Sequence, residues 1–142
     1  MANPVLNTRM YAKITGIVIA AVALLGIILN AIGSPELLGA NFLAFDWTHN
    51  ILHVVLAAVG LYVGFAGTDA LCTLYARAFG VVYLLLGITG FFWTGVSTTM
   101  LHLELGENIV HVLVGAWGCA AGFLGAKTTT PTTNTTPTPM RK

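Results

Sequence analysis

Four apolar blocks, each close to the thickness of a membrane when wound as a helix, divide this chain, and nothing else in the sequence limits its fold so strongly. The first, Ile14 to Ile32, runs 19 residues without a charge, near the roughly 20 that an α-helix needs to cross about 30 Å of hydrocarbon. The others run about Ile51 to Ala66, Ala78 to Trp93 and Ile109 to Ala126, shorter but extendable through neutral flanking residues. Lipid offers a backbone amide no partner, so a span must satisfy its own polar groups. Helices do this, whereas four strands are too few to close a barrel. The expectation is an all-α fold, a four-helix transmembrane bundle over residues 1–126. Residues 127–142, rich in Thr and Pro, form a disordered cytoplasmic tail.

Composition points the same way. Charged residues are 8% of the chain, against about 25% in ordinary globular proteins, while 56% are hydrophobic and the mean hydropathy is +0.84. A net charge of +1 leaves no basic surface able to track a phosphate backbone, which removes nucleic acid as a partner. A secretory signal is the rival reading of the first block, because Arg9 and Lys13 precede it and Ala31-Ile32-Gly33 resembles a cleavage site. The internal repeat below includes that block and counts against its removal. Cys72, placed in a connecting loop, and Cys119, inside the last block, read as unpaired and show no metal-type spacing.

Arg9, Lys13, Arg77, Lys127, Arg141 and Lys142 fall in the N-terminal segment, the second loop and the C-terminal tail, which four spans place on one side. Glu36, Asp46, Glu104 and Glu107 fall in the first and third loops. The positive-inside rule then puts both termini in the cytoplasm of a cell-membrane protein, with Trp47 and Trp93 at the outer boundary. On that side the Asn134-Thr135-Thr136 pattern is inert as a glycosylation acceptor.

The chain also repeats itself. Asn50-Ile51-Leu52-His53-Val54 recurs as Asn108-Ile109-Val110-His111-Val112, and the same offset pairs Ala58 with Ala116, Gly60 with Gly118, Gly64 with Gly122 and Phe65 with Phe123. Upstream, Tyr11-Ala12-Lys13 matches Tyr75-Ala76-Arg77, Gly16 matches Gly80 and Gly26 matches Gly90. Two two-helix repeats result, about 11–66 and 75–126. Each has an even number of spans, so the copies enter the membrane in the same direction as parallel repeats.

The third block, Tyr-Ala-Arg-x-x-Gly-Val-Val-Tyr-x-x-x-Gly, together with Asn-x-x-His opening helices two and four, resembles the family called domain of unknown function 4383. The resemblance covers about Tyr11 to Gly125 and rests on apolar pattern with a few fixed Gly, Asn and His. It implies a small multi-span membrane protein of bacteria or archaea and carries no assigned activity or cofactor.

Asp46, Asn50, His53, Ala57, Gly60 and Gly64 follow one another at intervals of three and four, and so share a helix face. Glu104, Asn108, His111, Gly115, Gly118 and Gly122 repeat the spacing. The glycines Gly60, Gly64, Gly118 and Gly122 are expected to let helix backbones approach closely, with helices two and four meeting along these stripes. For the polar ends three readings stand. Asn50 and Asn108, with the histidines, make hydrogen-bonded contacts between repeats while Asp46 caps a helix. Alternatively His53 and His111 are axial ligands of a haem or chlorin in an electron-transfer or pigment protein. In the third reading His53 and His111 with Asp46 and Glu104, joined by His49 and His102, form an outer-face divalent-metal or pH-sensing site.

No nucleophile elbow, phosphate loop or His-Glu-x-x-His helix is present, and Ser34 and Ser97 lie outside the spans. The span centres hold little polar beyond Thr89, which argues against a transport pathway. The functional expectation is a non-enzymatic structural or accessory subunit of a larger membrane assembly, surrounded by lipid and either homo-oligomeric or bound to other subunits.

Overall fold

A computed structural model describes residues 4–37, 42–92 and 104–125. Four helices form the bundle: α1 over Thr8–Ala31, α2 over Trp47–Ala66, α3 over Asp69–Phe92 and α4 over Leu105–Cys119, which continues as one π-helical turn, Ala120–Leu124. Each is long and apolar enough to cross a membrane, counting α4 through Leu124. The tail at 127–142, Trp93, Ser97 and His102 lie outside the described residues.

Local chemistry sets the helix ends. Asn7 caps α1, its side chain accepting from the Met10 amide at 3.0 Å. The helix stops where Gly33 turns left-handed at φ 74°. There the Ser34 amide donates to Leu29 and the Gly33 amide to Asn30, a glycine-terminated C-cap that satisfies the last carbonyls before Pro35. The connection to α2 contains a short antiparallel hairpin, β1 (Glu36–Leu37) and β2 (Leu43–Ala44), in register Glu36 with Ala44 and Leu37 with Leu43. The apolar-block pattern gave no sign of it. Gly67 and Thr68 alone join α2 to α3, and the Thr68 hydroxyl caps α3 by accepting from the Leu71 amide.

Two block boundaries differ from the sequence reading. α1 begins at Thr8 and α3 at Asp69, so Lys13 and Arg77 stand within helices and Cys72 is in α3, fully buried, with its thiol donating to the Val63 carbonyl, and not in a loop. The basic side chains are accommodated by local partners. Lys13 lies over the Phe65 ring at 4.7 Å, and Arg77 lies over Phe123 at 5.2 Å while its Nε donates to the Gly122 carbonyl at 2.7 Å.

The most extensive interfaces are α1 with α2 and α3 with α4. The glycine stripes therefore do not bring helices two and four together. Each packs against the other helix of its own half. A Cβ at Gly16 would lie 2.7 Å from the Leu61 amide nitrogen and 2.8 Å from the Gly60 carbonyl carbon. One at Gly80 would lie 2.5 Å and 2.6 Å from the matching atoms of Cys119 and Gly118. Gly64 packs on Lys13 and Gly122 on Arg77. The reason is that α1 and α3 carry facing glycines of their own, and glycine opposite glycine gives the closest backbone approach.

Between the halves runs an aromatic column. Tyr75, Phe79 and Tyr83, four residues apart on α3, stack at ring separations of 4.7 and 4.2 Å, and Tyr11 meets Trp117 edge-on at 4.9 Å. Tyr11 of α1 reaches across to Gly118 and donates to the Val114 carbonyl on α4. Tyr75 of α3 reaches Gly60 on α2 and shares a hydrogen bond with the Thr15 hydroxyl. Matched tyrosines thus make reciprocal contacts with the opposite half.

The glycine contacts carry a quantitative expectation. Gly80→Ala forces a methyl against backbone that cannot rotate away, and should destabilise the protein in mild detergent by about 1–3 kcal/mol, the range for overpacking. Val82→Ala, on the exposed face of the same helix, should cost well under half of that. Unfolding midpoints in a denaturant titration compare the two, and equal losses would remove the packing role.

Candidate polar site between the halves

The first turn of α2 fixes the central side chain. Asp46 is the N-cap residue, accepting from the His49 amide at 2.8 Å. One turn into the helix, His49 points inward and is only 6% exposed. Its Nδ1 lies 3.1 Å from Oε1 of Glu107 on α4, and its Nε2 lies 3.0 Å from Nε2 of His53 on its own helix. The His49 and His53 rings meet edge to face at 4.2 Å. Glu107 is 5% exposed, so this pair is desolvated on both sides. On the far side of the cluster, buried His111 sits edge-on to Tyr83 at 4.8 Å, the upper end of the aromatic column.

One hydrogen bond joins Nε2 of His49 to Nε2 of His53, with the proton on either ring, so His53 Nδ1 bears a proton when its Nε2 accepts and a lone pair when it donates. Glu107 lies close to His49 Nδ1, yet neither of its carboxyl oxygens makes a hydrogen bond. Nδ1 of His53 and Nδ1 of His111 are likewise buried without a hydrogen-bond partner. A buried polar atom left unpaired costs about 1–3 kcal/mol.

Two cavities flank the cluster. One, of about 220 Å³, lies between α1 and α4 beneath the hairpin; the other, of about 100 Å³, lies between α2 and α3. His49, Leu52, His53 and Leu56 line the smaller cavity, while Glu107, Val110, His111 and Val114, each 58 positions later, line the larger. Tyr83 and Leu86 line the smaller; Ile19 and Val22, each 64 positions earlier, line the larger. Both offsets are those of the sequence match.

The sequence-derived candidates separate into groups. His53 and His111 do reach the space between the halves. Asn50 and Asn108, expected to join the repeats, are both fully buried, Asn50 beside Gly26 and Asn108 beside Gly90 on the neighbouring helix of the same half. The asparagines fill the gap left by a glycine on the neighbouring helix. Asp46 is spent on its cap, and Glu104 is the N-cap residue of α4. Among the described residues no three His, Cys, Asp or Glu side chains come together in a way that would hold a metal ion. For a tetrapyrrole the fit is poor. His53 Nε2 is engaged by His49, and the larger cavity falls below the roughly 300–1,000 Å³ of pockets that enclose drug-sized ligands.

Sequence reasoning missed Glu107 as a partner and gave Tyr83 no role. The signal for the first was present: the offset that pairs His53 with His111 also pairs His49 with Glu107, an unlike but complementary couple. For the second it was the interval of four from Tyr75 through Phe79 to Tyr83.

The family model described as Domain of unknown function (DUF4383) matches residues 1–66, which hold α1, the hairpin and α2. Neither the curated proteins nor the solved structures contain a match to the chain.

The His49–Glu107 contact predicts strong coupling between the two positions. His49→Glu places two carboxylates together in a desolvated site and should cost about 3–5 kcal/mol of stability, as breaking a buried pair does. The exchange variant His49→Glu with Glu107→His should recover at least half of that loss. A double-mutant cycle by detergent unfolding measures it, and a coupling near zero would dismiss the pair as incidental.

Proposed function

We propose that the protein is a non-enzymatic subunit of the cell membrane, a structural or accessory component held among larger membrane partners or copies of itself, with both termini in the cytoplasm. The observation that carries this reading is that His49, buried at the hairpin end, is turned toward Glu107 of the other half and toward His53. His49 is spent on Glu107 and His53, so the cluster joins the halves and presents no nucleophile poised beside a base. The outside of the bundle supports it. Tyr62, Phe65, Phe92 and Phe123 are more than half exposed, as suits a surface covered by lipid or by other spans. Placement of charge supports the orientation: Arg9, Lys13 and Arg77 stand at one end of the bundle, and Glu36, Asp46 and Glu107 at the other.

Purification from the native membrane tests the reading. The accessory role predicts co-purification with larger membrane subunits and a colourless preparation. A Soret or chlorin band that disappears in both His53→Ala and His111→Ala would replace it with the haem or chlorin reading. Orientation has its own test in a Cys119→Ala background, where buried Cys72 is shielded. Ser34→Cys, at an exposed position after α1, should react with an impermeant thiol reagent in intact cells, and Thr68→Cys only after permeabilisation. The reverse pattern would invert the topology.

A further inference from the structure

We infer that the basic end of the bundle carries two matched sites for anionic phospholipid, one in each half, where Lys13 and Arg77 each receive the phosphate of one lipid whose acyl chains lie along the adjoining outer face. The inference requires only that the helices cross a bilayer, and holds or fails independently of the accessory role.

Three observations carry it. First, two cations at this end have no anion. Arg9 is paired, its Nη2 standing 2.7 Å from Asp69. Lys13 has only the Phe65 ring beneath its ammonium. Arg77 has the Phe123 ring, and the Gly122 carbonyl takes its Nε, which leaves both Nη groups without an acceptor among the described residues. Lys13 stands beside Gly64 and Arg77 beside Gly122, each within the last turn of the helix it packs on. An ionised group at the edge of the hydrocarbon reaches for the interface and for a counter-charge there. Lipid phosphate lies at that level, and a guanidinium with two open nitrogens matches it bidentately.

Second, the surface next to each cation is apolar and open toward the membrane centre. Ile17, one turn beyond Lys13, and Val81, one turn beyond Arg77, are exposed, as are the rings of Phe65 and Phe123. Ile17 pairs with Val81 and Phe65 with Phe123 at the repeat offsets, so a cation above an open aliphatic face occurs once in each half. A phosphate held on the cation sets its acyl chains against that face.

Third, the charge balance selects the headgroup. Among the described residues this end holds Arg9, Lys13 and Arg77 against Asp69 alone, while the hairpin end holds Glu36, Asp46, Glu104 and Glu107 with no Lys or Arg. A phosphodiester with an uncharged substituent neutralises the excess. A zwitterionic head brings an ammonium of its own, and the one carboxylate described at this end is already paired with Arg9.

The test uses the full-length protein in mild detergent, with binding read by native mass spectrometry and by the unfolding midpoint. The probes are phosphatidylglycerol, phosphatidylcholine of the same acyl chains, and inorganic phosphate, at equal concentration. Phosphatidylglycerol should form two tight adducts per chain and raise the midpoint, phosphatidylcholine should bind more weakly, and inorganic phosphate should leave the midpoint unchanged. Lys13→Gln should weaken one phosphatidylglycerol adduct about fivefold, the worth of one cation near an anionic surface, and Arg77→Gln the other. Lys13→Arg should retain both. Because Lys13 makes no hydrogen bond through its side chain, Lys13→Gln serves if Arg77→Gln, which loses its bond to Gly122, does not fold. Phosphatidylcholine equal to phosphatidylglycerol, or phosphatidylglycerol binding unchanged in Lys13→Gln, would overturn the proposal. A midpoint raised equally by inorganic phosphate would overturn it too, leaving a soluble anion in place of the lipid.

Discussion

Close approach of helix backbones at glycine is the constraint on which the rest of this structure depends. In lipid there is no water to expel between helices, so association rests on van der Waals contact, and contact is best where no side chain intervenes. Gly16 against Gly60 and Gly80 against Gly118 provide it once in each half. These contacts also fix the relative height of the helices. With α1 locked to α2 at that depth, Gly26 comes level with Asn50; with α3 locked to α4, Gly90 comes level with Asn108. The amides then fill the space that the missing side chains leave. A slip by one turn would press a Cβ-bearing residue on each glycine and drive the asparagines into neighbouring side chains.

Tight packing inside each half leaves looser packing between them. The halves meet through larger side chains, the tyrosine and phenylalanine column toward the basic end and the histidine and glutamate cluster toward the hairpin. Rings and imidazoles do not interlock as glycine faces do, and the two cavities lie along this seam. The polar cluster stands there because a buried imidazole or carboxylate needs a partner, and the seam is where two helices from different halves present such groups at one height.

Much of the architecture was legible in the sequence, and for a specific reason: apolar length reports spans directly, because the bilayer sets a fixed thickness. Helix termini were less legible. Lys13 and Arg77 read as boundary markers, yet an aromatic ring in each half, Phe65 and Phe123, lets the cation remain within the helix. The glycine stripes on α2 and α4 identified packing faces without saying what they pack on. The answer depended on Gly16 and Gly80, which the repeat match contained but which share no stripe with the histidines. In the polar site, His53 and His111 stood out because they are identical at matched positions. His49 and Glu107 did not stand out, because identity was the sign being sought and their partnership requires difference.

That difference has a physical logic of its own. When two similar halves pack face to face, matched positions near the middle of the seam are brought opposite one another, as residues 49 and 107 are here. Identical ionisable residues at such a place would be two carboxylates or two imidazoles within about 3 Å, without water to screen them. An imidazole facing a carboxylate removes the repulsion and adds an attraction that only the unlike pairing has. A first half meeting the first half of another chain would set His49 against His49, and a second half meeting another second half would set Glu107 against Glu107. Unlike residues at this one matched pair therefore favour the union of first half with second, which the two-residue connection between α2 and α3 already keeps close. At this place a difference between matched positions, and not their likeness, distinguishes the two sides of the seam.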